Sequence, residues 1–329
     1  MKDKILHLLR ENGKNFISGQ LISEKLGVSR TAIWKYMNAL KEEGYHIESI
    51  SKRGYKLLSS PDLLTFEEIS NSLNTKYIGR NIMYFQTIES TNNKAKELAS
   101  HLSNGTVIIS EEQTLGRGRL GRIWTSPKYK GIWMSIILKP DIDPQSVAMV
   151  TQIGAAAVVK TLSELGIQTY IKWPNDIILN GKKVCGILTE MSGEINKVNY
   201  IVMGIGINVN IDKGEFPEEL KNLATSLSCE IGSVVNRKEI VTNLLNNFEV
   251  LYDEIIQKNS IESSIKICRE NSILIGKEVK IIKRNEKNFG KAINLSNTGE
   301  LIVQYPDGSV EEVICGEVSI RGLNGNYTP

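Results

Sequence analysis

Histidine and cysteine are scarce in this 329-residue chain, and their placement excludes several chemistries. The three histidines, His7, His46 and His101, are scattered, so neither a histidine cluster nor a Ser-His-Asp arrangement suggests itself. The four cysteines, Cys185, Cys229, Cys268 and Cys315, are far apart and form no Cys-x-x-Cys, which argues against disulfides and a zinc site. No apolar run approaches the length of a membrane span, and Met1-Lys2-Asp3-Lys4 lacks a signal-peptide core. A cytoplasmic protein without a membrane partner is expected. The Gly-x4-Gly-Lys-Ser/Thr phosphate loop is absent as well.

What is present is an ordinary globular composition, 41% hydrophobic and 23% charged, in a chain long enough for two or three domains. Charge is unevenly spread. Residues 1–60 hold eleven Lys/Arg and six Asp/Glu, whereas the remainder holds 29 and 31. A basic head on a near-neutral body points to a nucleic-acid module joined to something else.

The head, 1–60, reads as helix, turn, helix and β-hairpin. Ile5, Leu6, Leu8 and Leu9 give a first amphipathic helix, and Ser18-Gly19-Gln20 opens a second. After Gly27-Val28, Ser29 is placed to cap a third helix near Arg30–Glu43, with Ala32, Ile33, Tyr36, Met37 and Leu40 inward. Two strands then flank Ser51-Lys52-Arg53. This is the winged helix-turn-helix order, with Gly19 to Asn38 as the helix-turn-helix. Arg30, Thr31, Trp34 and Lys35 would face base edges, while Lys52 and Arg53 at the wing tip would reach phosphate. The bland alternative is a mildly basic protein-interaction module. Ser59-Ser60-Pro61 marks a linker.

The body, 62–270, reads as an α+β domain on a largely antiparallel sheet. Strands are expected at 82–87, 106–110, 131–138, 177–179, 183–191 and 200–209. Asn180-Gly181 has the chemistry of a type I′ hairpin turn. A long apolar helix follows Asp143-Pro144, and Asn236 caps another. The tail, 271–329, has four short alternating runs (273–283, 289–295, 301–305, 310–315) separated by turn signals, which suggests a small SH3-like barrel.

The most informative segment is Gly116-Arg117-Gly118-Arg119-Leu120-Gly121-Arg122-Ile123-Trp124. Guanidinium groups hold phosphate and carboxylate in a fork, and glycines let backbone approach a ligand while leaving an empty loop loose. Such a loop is expected to order around a polyanion, a nucleotide or an acyl-adenylate. Gly116-x-Gly118-x-x-Gly121 also matches the dinucleotide-binding pattern. The Trp124, Ser126 and Pro127 that follow start no helix, so that reading fails. A solvated basic loop is the remaining alternative. Lys172-Trp173-Pro174-Asn175-Asp176 and Lys183-x-x-Gly186 put further cations beside glycine at strand ends.

Together these segments resemble the bifunctional biotin–protein ligases and biotin-operon repressors of bacteria over essentially the whole chain. The motifs are Ser90-Thr91-Asn92, Gln113, the arginine-glycine run, the two lysine motifs, Gly204-x-Gly206-x-Asn208 and Gly316-Glu317-Val318-Ser319-Ile320-Arg321. Cys185 stands where alanine is commoner, and its thiol would be open to oxidation.

The resemblance implies ATP-dependent activation of biotin to biotinyl-5′-AMP. Transfer to one lysine of a biotin carboxyl carrier protein, as in acetyl-CoA carboxylase, would follow. Mg²⁺ would assist, and no tightly bound cofactor is expected. It further implies that Arg117, Arg119, Arg122 and Lys183 offset the repulsion between carboxylate and triphosphate, with Arg119, Lys183 and Asp176 catalytic. Ser90, Thr91 and Gln113 would hold the biotin ureido ring, with Asn92 beside them. Gly116, Gly118, Gly186, Gly204 and Gly206 would line the pocket, with Lys172 and Asn208 nearby. Trp124 would close it, Asn175 and Asp176 would orient Mg²⁺ or the reacting groups, and Arg321 would reach the nucleotide. An adenylate-bound homodimer would then repress operator DNA of biotin genes. A lipoate–protein ligase, or a biotin-sensing transcription factor without ligase activity, are the rival readings.

Overall fold

In the computed structural model every residue is described apart from 14, 43, 284–285, 315–317, 323–326 and 328–329. Gly316 and Glu317 of the last motif, and Cys315, fall outside the described residues.

Contacts divide the chain into two units, Met1–Asn71 and Ser72–Pro329. In the first, α1 (Lys2–Glu11), α2 (Gly19–Leu26) and α3 (Arg30–Glu42) precede a hairpin of β1 (His46–Ile50) and β2 (Gly54–Ser59). Hydroxyl caps set the helix starts. Ser18 accepts from Leu21 N–H at 3.1 Å, and Ser29 accepts from Ala32 N–H at 3.2 Å. Ile5, Leu9, Ile22, Ile33, Met37, Leu40 and Ile47 share one core. A short helix α4 (Phe66–Ile69) closes the unit beyond the Ser59–Pro61 segment. Its Glu68 is paired with Arg10 and accepts from Tyr45 Oη at 2.8 Å.

The second unit is built on a seven-stranded sheet. In chain order its elements are β3 (Ile82–Phe85), α5 (Thr91–Leu98), β4 (Val107–Ser110), β5 (Gly131–Leu138), α6 (Val147–Glu164), β6 (Tyr170–Lys172), β7 (Asp176–Leu179), β8 (Lys182–Glu194) and β9 (Lys197–Asn208). Then come α7 (Leu227–Ile231), α8 (Arg237–Lys258) and α9 (Glu262–Glu270). The strand order is β3-β4-β5-β9-β8-β7-β6, antiparallel except for the β3–β4 pair. The β7–β8 turn places Asn180 and Gly181 at φ 48° and 78°, as a type I′ turn requires.

Alternation along β9 divides labour between the two faces of the sheet. Met203 lies toward α6, where it packs against Gly154. Val202 packs with Ala95 of α5 and with Ala99 just after it on the other face. Helix α6 is apolar nearly all round because the sheet covers one side and α8 and α9 the other. Contrary to the sequence expectation, the Pro144–Glu164 helical stretch is long and apolar enough to span a membrane by length and composition. It is a core helix here, with Val150 through Val159 buried within the unit.

The tail forms β10 (Glu278–Lys283), β11 (Glu286–Leu295), β12 (Leu301–Gln304), β13 (Val310–Val313) and β14 (Val318–Gly322), an antiparallel sheet in the order β13-β12-β11-β10-β14. The strand carrying Arg321 was not foreseen, and this sheet belongs to the same compact unit as the large one. Trp173 Nε1 donates to Gly299 O at 2.8 Å, tying the β11–β12 turn to the body.

One ion pair is wholly enclosed. Arg237 Nη1 donates to Glu111 Oε2 at 2.7 Å and to Gly131 O at 2.9 Å, and both side chains are 0% exposed. The pair joins the segment after β4 to the first residue of α8. Replacing Arg237 with methionine would remove the guanidinium that faces the buried Glu111 carboxylate. Arg237→Met is therefore expected to destabilise the second unit by about 3–5 kcal/mol, read as a lowered urea midpoint. Arg237→Met combined with Glu111→Leu should recover much of the loss.

Candidate active site

On the α5 face of the sheet, Gly204 and Gly206 of β9 lie beside Gly186 of β8, with Gly186 and Gly206 directly paired. The missing Cβ atoms leave room for side chains from elsewhere. A Cβ on Gly204 would come within 2.1 Å of Asn92 Oδ1, and one on Gly206 within 2.5 Å of Trp124 Nε1. A Cβ on Gly186 would lie 3.0 Å from both the Trp124 ring and Lys183 Cε. Trp124 thus lies over a glycine-paved strip and meets Trp133 edge-on, ring centres 6.5 Å apart.

The cavity above this strip has a volume of about 230 Å³. At one end a hydrogen-bonded chain is set by α5. Ser90 caps the helix, and Ser135 Oγ reaches Thr91 Oγ1 at 2.8 Å and Asn92 Oδ1 at 2.6 Å. Thr91 N–H and Oγ1–H donate to Gln113 Oε1, and Gln113 Nε2 donates to Ser126 Oγ at 2.9 Å. Asn92 Nδ2 donates to Glu190 Oε2 at 2.7 Å. Burial alone would raise the Glu190 carboxyl. Lys96 and Asn92 outweigh it and hold the group below its ordinary value.

At the other end sit the cations. Lys183 Nζ is 2.5 Å from Asp176 Oδ1 and 5.0 Å from the Trp124 ring centre. Arg119 Nη1 donates to Asn175 Oδ1 at 3.1 Å, while Asn175 Nδ2 donates to Ile187 O at 2.7 Å. Burial would push the Asp176 carboxyl up, but the charges of Lys183 and Lys172 hold it below its ordinary value. Lys172, 5% exposed, has its ammonium pulled down to about 8 by burial, against the favourable charge of Asp176. Arg321, Lys183 and Arg122 push it in the same direction as burial.

The arginine-glycine run is a narrow hairpin. Trp124 N–H donates to Gly116 O at 2.9 Å and Gly118 N–H to Arg122 O at 2.7 Å, with Leu120 at φ 57°. Leu120 and Ile123 are exposed, the latter 83%.

Ser90, Thr91, Asn92, Gln113, Arg117, Gly118, Arg119, Arg122, Trp124, Lys172, Asn175, Asp176, Lys183, Gly186, Gly204, Gly206, Asn208 and Arg321 all border this one cavity. Gly116 does not. It closes the hairpin base, where a Cβ would lie 2.3 Å from Trp124 O. Asn208 Nδ2 donates to Thr225 O at 3.1 Å, which fixes the side chain in the cavity wall. Cys185 is fully buried and its thiol is pushed far above its ordinary value by burial, so the expected ease of oxidation is withdrawn.

Three contributors were missed in the sequence. Ser135 anchors Thr91 and Asn92 from mid-strand. Phe216, Leu220, Leu223 and Ala224 supply an apolar wall. Tyr327 reaches in from the tail. The signal for Ser135, a lone polar residue in the apolar strand 131–138, was available. Among the described residues no three His, Cys, Asp or Glu side chains converge on a metal position. The two Asp176 oxygens face Lys183 and Tyr327, so the residues present do not build a Mg²⁺ site.

In the first unit, Arg30, Thr31 and Lys35 lie exposed on α3, beside Trp34 at 57% exposed. Lys52 takes φ 66° at the wing turn, and the Arg53 guanidinium lies 4.4 Å over the Phe16 ring.

An anion-attracting cleft on an antiparallel sheet, preceded by a helix-turn-helix, defines the class. The biotin/lipoate A/B protein ligase family matches residues 82–208, a helix-turn-helix domain residues 2–56, and the biotin protein ligase C-terminal domain residues 274–321. The bifunctional ligase/repressor BirA of Bacillus subtilis is 39% identical over 97% of this chain and 98% of its own. That of Escherichia coli is 28% identical over 98% and 99%. The biotin protein ligase of Aquifex aeolicus, solved with biotin and ATP, superposes with a TM-score of 0.64 at 31% identity, covering 74% of this chain and 99% of that one. The chain belongs to the bifunctional biotin ligase/repressor family.

The bare strip is testable by itself. Gly204→Ala drives a methyl into Asn92, which is held by Ser135, Leu188 and Glu190. It should destabilise the second unit by about 1–3 kcal/mol in urea unfolding.

Proposed function

We propose that this protein activates biotin with ATP and transfers the acyl group to one lysine of a biotin carboxyl carrier domain, acetyl-CoA carboxylase type. We also propose that its adenylate-bound homodimer represses biotin genes. The observation that carries the enzymatic reading is the meeting of Lys183, Asp176 and the arginine hairpin beside the Ser90–Gln113 hydrogen-bond chain in one cavity.

In the first step a biotin carboxylate oxygen bonds to the α-phosphorus and the bond to the β-phosphate oxygen breaks, releasing pyrophosphate. In the second a carrier-lysine amine bonds to the acyl carbon, AMP leaves, and the amine loses a proton. Ser90, Thr91 and Gln113 orient the ureido ring. Lys183 and the guanidinium groups of Arg117, Arg119 and Arg122 offset the repulsion between two anions, with Arg119 aimed by Asn175. Lys172 and Arg321 extend the cationic wall toward the nucleotide. Trp124 excludes water above Gly206. Mg²⁺ would arrive as the complex with ATP, held by phosphate oxygens. The tail is read as the SH3-like module of this arrangement, and the protein as working in the cytoplasm.

The direct experiment incubates protein, biotin, ATP and an apo carrier domain, then weighs the carrier. Gain of one biotinyl group is expected, and an unmodified carrier overturns the ligase reading. Lys183→Ala should slow pyrophosphate release by roughly 10²–10³-fold while the protein stays folded. Release at the wild-type rate would remove Lys183 from its role.

For the DNA half, operator and scrambled duplexes are titrated at several salt concentrations with adenylate saturating. Arg30→Ala should relax operator preference, since a base-edge arginine is worth about 1–3 kcal/mol. Lys52→Ala with Arg53→Ala should weaken all duplexes alike and flatten the salt slope by up to about two units. Absence of preference for any palindrome in the wild-type dimer would end the repressor reading.

A further inference from the structure

Tyr327 lies six residues beyond Arg321, past the last strand, yet its side chain borders the cavity. Three separate contacts hold it there. Its hydroxyl donates to Asp176 Oδ2, the carboxylate whose other oxygen faces Lys183. Lys172 Nζ stands 3.9 Å over its ring, and the Arg321 guanidinium lies 5.2 Å from the same ring centre. A phenol so placed does two things at once. It fixes the rotamer of the acid that pairs with Lys183, and it covers two cations with an aromatic face, which attracts them and keeps water away.

The geometry points to Tyr327 as a positioning residue for the cationic side of the cleft. Its hydroxyl sets Asp176, and through it Lys183. Its ring sets Lys172 and Arg321. This rests on the ligase reading above. The two halves of the role separate by chemistry. Tyr327→Phe keeps the ring and loses the hydrogen bond. Tyr327→Ala loses both.

The hydrogen bond is to a charged group, and its loss should lower kcat for biotin- and ATP-dependent pyrophosphate release by roughly tenfold in Tyr327→Phe. KM for ATP should stay near wild type in that variant. Tyr327→Ala should show the same fall in kcat and, in addition, a rise of about threefold or more in KM for ATP as Lys172 and Arg321 lose their aromatic support.

A spectroscopic signature tests the placement without any turnover. An ammonium over a ring face shifts the neighbouring ε-methylene protons upfield, so the full-length protein is examined by ¹H–¹³C NMR. Lys172 is assigned through Lys172→Arg. The upfield ε-methylene signal is expected in wild type and Tyr327→Phe, and is expected to vanish in Tyr327→Ala. Its absence from wild type overturns the proposal. So do wild-type kinetics in both variants, or identical kcat and KM values in the two. Should wild type show the NMR signature and no pyrophosphate release, the ligase reading fails. The role in activation fails with it, and only the Tyr327–Lys172 contact stands.

Discussion

The absence of side chains at Gly186, Gly204 and Gly206 is the steric condition on which the cleft depends. Three glycines on one face of two paired strands let Asn92, Trp124 and Lys183 come down onto the sheet itself. A Cβ on Gly204 or Gly206 would lie 2.1 or 2.5 Å from Asn92 or Trp124 and displace them, and one on Gly186, 3.0 Å from Trp124 and Lys183, would crowd both. The opposite face of the same strand makes the contrary demand. Met203 and Ile205, one step out of phase, are buried. The strand can serve both purposes because the side-chain period is two. A register slip by one residue would bury the site and expose the core.

The Glu111–Arg237 pair anchors this arrangement from below. Arg237 also holds Gly131 O at the start of β5, the strand that supplies Ser135. The strand that supplies Ser135 to the Thr91–Gln113 chain is thus tied at its first residue to a buried charge pair. Desolvation opposes the attraction within such a pair, so its net contribution to stability is small even though losing one partner alone is costly.

What was legible in the sequence was whatever local chemistry writes. Ser18, Ser29 and Asn236 are caps with the bonds their positions suggested. Asn180-Gly181 turns with both residues at positive φ. The strand 131–138 was bounded as found. Local pattern singled out the arginine-glycine run and the lysines at strand ends, while Ser90, Thr91, Asn92, Gln113, Asn208 and Arg321 came from the family resemblance; the run's arginines, the lysines and these residues all border the cavity. Long-range features were not legible. The parallel β3–β4 pair, helix α4, the Arg237–Glu111 pair and Tyr327 all depend on partners distant in sequence. The long apolar helix expected after Asp143-Pro144 is α6; it is covered on both sides, so its apolar character follows from burial and carries no information about lipid. Gly116, which the resemblance placed at the pocket by its backbone, accepts from Trp124 N–H at the base of the hairpin.

Charge supplies the remaining link from fold to chemistry. Among the described residues lining the cavity, Arg117, Arg119, Arg122, Lys172, Lys183 and Arg321 are cationic and Asp176 is the one carboxylate. One acid cannot neutralise six cations, and the surplus is visible in the structure. The Lys172 ammonium is pulled down to about 8, first by burial and then by its cationic neighbours, despite Asp176. A site left so positive in a partly enclosed space stores unfavourable repulsion that only an arriving anion relieves. A triphosphate or an acyl-phosphate supplies negative charge where the surplus lies. The Ser90–Gln113 end lines the cavity with neutral hydrogen-bonding side chains, the Glu190–Lys96 pair lying behind Asn92. The two ends therefore divide a ligand into a charged half and a neutral polar half. That division matches the charge distribution of the biotinyl-adenylate proposed above, an anionic phosphate joined to a neutral polar ring.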